Sequence, residues 1–320
     1  MSYIKKSKEY YKNEVQKLSQ ELEMGLEQVF HTDEYVNFLN IMAKRPNYSV
    51  RNNILIYMQK PDATFLAGYQ TLLNSFGHQV QKGEKGIRIF APVIYKTQRN
   101  DSSSILGEPE EDKKIRFRVI KIFDISQTKP VMIQNEDGSE TISPKAKKLI
   151  QSLNYMSLTG TSTNKEDSAK ILFDTIQEAI PIPIKYQQLP KTLAGYFSFK
   201  NRDNLHIVLN SSFDITSKLV TLVHEWTHYE LHNPYDKKNN RIPKMSNKDQ
   251  EIQAESVAYI VLKHFGFDSS NESLKYIAIW SKHKKTEDLR NSLEIIQKTS
   301  VNMIAAIKGI RPIFLEEDII

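Results

Sequence analysis

No cysteine occurs in the 320 residues. Disulfides, thiol nucleophiles and cysteine-ligated zinc are therefore excluded. No apolar run approaches the roughly 18–20 residues needed to span a bilayer. The opening stretch, MSYIKKSKEYYKNEVQKL, is charged and has no apolar segment of the secretory-signal kind. Internal repeats and low-complexity tracts are also missing. A cytoplasmic protein is the expectation.

What is present suits a folded chain. Hydrophobic residues make up 39% and aromatics 10%. The length suggests about two domains. The net charge is +6, and it is unevenly placed. Residues 1–130 hold 20 Lys+Arg against 15 Asp+Glu, an excess of +5, and the rest hold 24 against 23, or +1. A polyanion partner for the first part is one explanation; an ordinary solvated surface is the other.

Apolar residues recur at helical spacing from Val15 to Leu39, with a break near HTDE at 31–34, where Thr32 or Asp33 caps a second helix. Ser49 caps VRNNILIYMQ, which stops before Pro61. FLAGYQTLLNSFG reads as a short strand or turn and a short helix. HQVQKGEKGIRIFAPVIYK reads as a β-hairpin around GEKG. Residues 99–114 read as an exposed loop, and IRFRVIKIFDIS as a strand with Arg116 and Arg118 on one face. The stretch 128–166 has linker signals around a short helix, KAKKLIQSL. From Ser168 onward come a helix, a hairpin around KNRDN and further helices, among them SLKYIAIWS and 286–308. The fold expected is α+β in two domains: an α+β domain over 1–130, a linker over 131–167, and a mostly helical domain with a small sheet over 168–320.

The chemistry concentrates in TLVHEWTHYELH, 221–232. Residues i and i+4 share one helix face, so His224 and His228 can offer ring nitrogens to one zinc ion. Zinc lowers the pKa of a bound water towards about 7, and Glu225 is placed to act as its general base. Leu219, Leu222, Val223 and Trp226 give the helix an apolar opposite side. Three protein ligands and an open position are needed. Glu251, 23 residues after His228, is the candidate third ligand, and Glu255, one turn on, supports a ligand histidine or replaces Glu251. The alternative for both glutamates is simple solvent exposure near a helix start. His232 is one turn beyond His228 and lines the cleft or is structural; His264 and His283 have no evident partners. Tyr229, Tyr259 and Tyr276 are candidate oxyanion donors, with nothing in the spacing to choose among them.

HEWTH followed by ExxAE resembles the gluzincin arrangement, and a strand-forming LHIVLN ahead of it is similar to the ImmA/IrrE-type metallopeptidases. The resemblance covers about 168–265 and implies that Glu251 binds the metal and Glu255 supports a histidine. In the first part, Y-S-x-x-N, G-Y, KGEKG, P and F-D-x-x-Q-T over 35–128 resemble the N-terminal domain of ArdC-type antirestriction proteins. That resemblance implies single-stranded DNA binding and a setting on a mobile element. Candidate DNA-contacting residues are Arg51, Asn52, Tyr69, Lys82, Lys85 and Arg88, with Phe90 as a further stacking aromatic. The function expected is single-stranded DNA binding joined to zinc-dependent peptide hydrolysis. The alternative is a non-catalytic DNA-protecting protein whose zinc site is structural or vestigial.

Overall fold

The computed structural model describes residues 7–31, 34–97, 112–158, 165–236, 245–269 and 286–309. Two compact units emerge. Among the described residues, one takes in those up to Gly25 together with Ile54–Ala146; the other takes in Leu26–Asn53 and those from Lys147 on.

The first unit is α+β. Among the described residues it holds most of α1 (Lys8–His31), the later part of α3 (Val50–Gln59), α4 (Tyr69–Asn74) and seven short or long strands. β1 (Leu66–Gly68), β3 (Ile87–Thr97) and β4 (Asp112–Asp124) form a sheet in the order β1-β4-β3, antiparallel throughout. β3 and β4 pair from Ile87 opposite Ile122 to Thr97 opposite Asp112. Separate ribbons join β2 (His78–Val80) to β5 (Thr128–Pro130), and β6 (Met132–Gln134) to β7 (Glu140–Ile142).

A short polar network explains why KGEKG and FDxxQT occur together. The Asp124 carboxylate accepts from the backbone N–H groups of Thr64 (2.6 Å), Phe65 (3.0 Å) and Ser126 (3.0 Å). Gln127 Oε1 accepts from the Asp124 N–H at 2.9 Å, closing a capping box. The Gln127 amide then donates to Glu84 Oε2 (2.9 Å) and to the Lys85 carbonyl (3.0 Å). Gly83, with φ of 92°, makes the turn in that loop. The two motifs thus hold one loop in place.

The second unit is mostly helical with one small sheet. It contains α2 (Glu34–Lys44), much of α5 (Pro144–Leu158), α6 (Lys165–Ala179), α7 (Ile215–His232), α8 (Asn247–His264) and α9 (Thr286–Ile307). β8 (Ile184–Gln187), β9 (Gly195–Ser198) and β10 (His206–Asn210) form a sheet in the order β8-β10-β9. β10 runs parallel to β8 and antiparallel to β9, which leaves β9 at the edge. α8 is the central helix: it packs against α7, α2 and α9, and Ile252, Val257, Ile260, Val261 and Leu262 are all but sealed from solvent. Across the α2 contact, Tyr259 donates to Asn40 Oδ1 at 2.6 Å and Tyr35 meets Ser256 Oγ at 3.4 Å.

Several expectations change. GEKG does not turn a hairpin: β2 pairs with β5 and β3 with β4, because the loop is tied down by Gln127 rather than by its own flanks. The NEDGSE turn, read as linker, closes the β6–β7 ribbon, and the first unit extends to Ala146. Leu26–Asn53 cluster with the second unit, although they precede the boundary expected near 130. The KNRDN hairpin and the α7 and α8 helices appear as read. The stretch SLKYIAIWS and most of the 99–114 loop lie outside the described residues, as do Thr32 and Asp33. Among the described residues, no helix is long and apolar enough to cross a membrane.

Candidate metal centre

α7 begins where Asp214 caps it. The Asp214 carboxylate accepts from Ser217 N–H at 2.8 Å and from the Ser217 hydroxyl at 3.0 Å, and these bonds hold its carboxyl below the usual range. Leu219, Leu222, Val223, Trp226 and Thr227 are buried along one side. That burial turns His224 and His228 to the other side, one turn apart. α8 begins at Ser246, whose hydroxyl oxygen accepts from Asp249 N–H at 3.2 Å. It ends before Gly266, at φ of 82°. Its first turns bring Glu251 and Glu255 alongside the two histidines.

Three ligand-type side chains converge. His224 Nε2 is 3.1 Å from His228 Nε2. Glu251 Oε2 is 3.3 Å from His224 Nε2, and Glu251 Oε1 is 3.4 Å from His228 Nε2. A tetrahedral ion with bonds of about 2.0–2.1 Å spaces its ligand atoms roughly 3.3–3.4 Å apart. One ligand atom from each of the three lies within 4.8 Å of the others, and the two-histidine, one-carboxylate donor set is chemically apt for zinc. Among the described residues this trio is the one cluster able to hold a metal ion. Glu255 Oε1 is 3.7 Å from His224 Nδ1, on the other nitrogen of the ring. The two glutamates therefore stand at opposite ends of His224.

The electrostatics favour a cation. Burial alone would lower the His224 pKa, yet the hydrogen-bonded Glu251 and the charges of Glu225 and Glu255 raise it overall. The adjacent rings of His224 and His228 hold the Glu251 carboxyl far below the usual carboxylate range. Glu225 differs from its neighbours. Burial raises its pKa, outweighing the nearby imidazoles, and its Oε2 accepts the Phe197 backbone N–H at 2.7 Å. Phe197 is in β9, which lies tight against α7: a Cβ on Gly195 would meet Val208 O at 2.5 Å and Thr221 Cγ2 at 2.7 Å.

The loop into β9 is also fixed from within. Asn210 is wholly buried and donates to the carbonyls of Leu189, Pro190 and Leu193 at 3.1, 3.2 and 2.9 Å. Its own Oδ1 accepts from Ser212 N–H and hydroxyl at 3.1 and 2.7 Å.

Residues 8–125 match the N-terminal domain of anti-restriction factor ArdC, and residues 177–299 match the IrrE N-terminal-like domain of a peptidase family. The chain thus carries an ArdC-like N-terminal domain followed by an IrrE-like domain. An uncharacterized Bacillus anthracis protein, pXO2-81, is 26% identical over 330 residues, which cover 95% of this chain and 53% of that protein. The chain thus spans about half the length of the curated relative it matches. Two crystal structures of antirestriction protein ArdC from plasmid R388, one metal-free and one Mn(II)-bound, are 15% identical, with TM-scores of 0.47 and 0.46. Each covers 82% of this chain, and 86% and 84% of its own.

The other expected site residues are dispersed. Lys82 and Lys85 are exposed on the loop between β2 and β3, and Tyr69 is 41% exposed at the start of α4, edge-on to Phe123. Arg88 is half-buried and pairs with Glu21 at 2.7 Å. Arg51 and Asn52 belong to the second unit, where Arg51 is 3.9 Å from Glu294 and Asn52 is buried. Phe117, 54% exposed on β4, alternates with the exposed Arg116 and Arg118 and so faces away from them; the sequence does not single it out as a stacking ring, because alternation alone does not say which strand face is covered. Phe90 sits edge-to-face against it.

Of the remaining polar candidates, Tyr259 is taken up by Asn40 in the helical core, and Tyr229 packs edge-on to Phe197. His264 does have partners: its Nδ1 donates to the Ala43 carbonyl at 2.8 Å and its Nε2 accepts from Lys308 at 2.7 Å. His283 and Tyr276 lie outside the described residues.

Proposed function

We propose that this chain hydrolyses peptide bonds at the centre on α7 and α8 and binds single-stranded DNA through its first unit, in the service of antirestriction on a mobile element. The observation that carries the enzymatic half is the convergence of His224, His228 and Glu251 within one ion's reach, with Glu225 buried beside them. His224, His228 and Glu251 would hold zinc, which polarises a carbonyl and activates water when bound. Glu225 takes and returns the proton. Burial raises its pKa above the usual carboxylate range, which favours that exchange, and the Phe197 N–H keeps its carboxylate aimed along β9.

For the first unit, the supporting observation is β4, where Phe117 is exposed on one face and Arg116 and Arg118 are exposed on the other. Bases stack on such a ring whatever their identity, while cations meet the backbone phosphates. Lys82 and Lys85 add charge from the loop that Gln127 anchors.

The deciding experiment is Glu225→Gln. Zinc binding is expected to persist while peptidase activity, assayed with and without single-stranded DNA, falls about 10²–10⁴-fold. Antirestriction activity that survives this change intact would show that the metal centre serves structure and that DNA protection needs no hydrolysis.

A further inference from the structure

A line of hydrogen bonds leads from the metal centre into the helical core. His228 Nδ1 is 2.9 Å from His232 Nδ1. His232 Nε2 is 3.3 Å from Gln253 Oε1, and Gln253 Nε2 donates to Ser292 Oγ at 3.1 Å. Gln253 is 2% exposed, so its amide has no solvent to turn towards. His224, His228 and His232 occupy successive turns of α7, and Gln253 projects from α8.

A neutral imidazole carries one N–H, on either nitrogen. With Gln253 presenting Oε1, the His232 proton sits on Nε2. His232 Nδ1 is then an acceptor, so His228 must donate from its own Nδ1. That leaves the lone pair of His228 on Nε2, the atom facing His224 and Glu251. If the Gln253 amide is turned around, every proton in the line shifts. His228 Nε2 then carries a hydrogen and loses its capacity to bind an ion. The direction of this relay and the availability of a ligand at Nε2 are one and the same choice. A hydrogen bond at the far nitrogen of a ligating histidine fixes its tautomer and orientation; here an imidazole and an amide take the place usually held by a carboxylate or a carbonyl.

We propose that His232, itself oriented by Gln253, is a positioning residue that holds His228 as the Nδ1–H tautomer and thereby sets the metal affinity of the site. The proposal rests on the metal-binding reading above. It assigns no contact with substrate to His232.

The test is zinc affinity measured by competition with a chelator at fixed pH, together with ¹⁵N imidazole spectra of the metal-free protein. His232→Leu is expected to weaken zinc binding about 10–100-fold and to shift His228 towards the Nε2–H form. His232→Asn keeps an oxygen acceptor close to the Nδ1 position and is expected to restore most of the affinity. Gln253→Glu, which can only accept, is expected to bind zinc at least as tightly as the wild type. If His232→Leu does not fold, Gln253→Leu carries the same test, with affinity expected to fall at least threefold or so.

A folded His232→Leu protein that binds zinc as tightly as the wild type would overturn the relay while leaving the metal site standing. So would an Asn variant as weak as the Leu variant, or, in the fallback, an unchanged affinity in Gln253→Leu. A wild-type protein that takes up no zinc would overturn the metal site, and the relay with it.

Discussion

The backbone N–H of Phe197 donates to Glu225 Oε2 at 2.7 Å, so the edge strand of the small sheet and the metal-bearing helix meet at the proposed general base. The contact depends on how closely β9 lies on α7, and that closeness depends on Gly195. An added methyl group would press on the Val208 carbonyl and on Thr221. Gly195→Ala is therefore expected to push β9 outward. Stability should fall by about 1–3 kcal/mol, and peptidase turnover should fall by more than zinc affinity does. Urea unfolding, chelator competition and kcat measured on the same protein separate the three effects. Equal losses of zinc affinity and turnover would place the disturbance at the ligands instead.

Metal binding should also be visible as stability. Two imidazoles and a carboxylate held 3.1–3.4 Å apart have no equivalent in the unfolded chain. Zinc at about 100 times its Kd is expected to stabilise the protein by about 2.7 kcal/mol. The gain should disappear in His224→Ala and His228→Ala. It should shrink strongly in Glu251→Gln, and persist in reduced form in Glu255→Gln, since Glu255 stands at the far nitrogen of His224. Thermal unfolding with zinc and with a chelator measures each case. A Glu255→Gln loss exceeding that of Glu251→Gln would reverse the assigned roles.

The candidate metal-site residues were legible in the sequence because the geometry of each pair is local. Spacing of i and i+4 on a helix puts His224 and His228 together, and the same spacing marks Glu251 and Glu255. The relay through Gln253 was not legible. Its partners come from α7, α8 and α9, and nothing in the local pattern says that one amide will be sealed between them. The same reason explains the misread GEKG hairpin. Alternation identified β2 and β3 correctly as strands, but their partners, β5 and β4, lie further along the chain and are selected by the Asp124–Gln127 capping box. The helix α2 likewise reads as amphipathic, but not as a helix that packs on α8 some 220 residues later, through pairs such as Tyr35 and Ser256.

Two histidines away from the metal should make stability sensitive to mild acid. In the first unit, the Thr128 hydroxyl donates to the Ile125 carbonyl, so it accepts from His78 Nδ1, 2.9 Å away. His78 Nε2 is buried with no partner among the described residues. In the second unit, His264 is committed to the Ala43 carbonyl and to Lys308, whose ammonium opposes a charged ring. Burial lowers the pKa of both rings. The neutral forms favoured by folding are fully present above the unfolded value of about 6.5. As pH falls below that value, the unfolded chain takes up protons that the folded chain refuses. Stability is then lost, by at most about 1.4 kcal/mol per pH unit for each histidine. His78→Gln and His264→Gln should each flatten the dependence of the urea midpoint on pH between 7 and 5 in zinc-free protein. Slopes unchanged in both variants would remove these rings as its source.

The first unit's surface separates residues that hold the fold from residues free to meet a polyanion. The Arg88 guanidinium is spent on Glu21 at 2.7 Å, and its backbone N–H and carbonyl pair with the Gln59 amide at 3.0 and 2.9 Å. Arg88→Ala should therefore lower stability while changing DNA affinity little. Lys82 and Lys85 are exposed on an anchored loop, so Lys82→Glu and Lys85→Glu should weaken binding to an unstructured oligonucleotide and leave the unfolding midpoint nearly unchanged. Each lost phosphate contact should reduce the slope of log K against log salt by about 0.7 for a single strand. Phe117→Ala, on the exposed face of β4, should cost about 1–3 kcal/mol of binding if a base stacks there. It should leave the salt slope alone, because a ring releases no counterions. Fluorescence anisotropy over a series of salt concentrations distinguishes the two kinds of loss. A Phe117→Ala protein with wild-type affinity would move the stacking surface off β4, and Lys82 and Lys85 variants with the wild-type slope would move the phosphate path off the anchored loop.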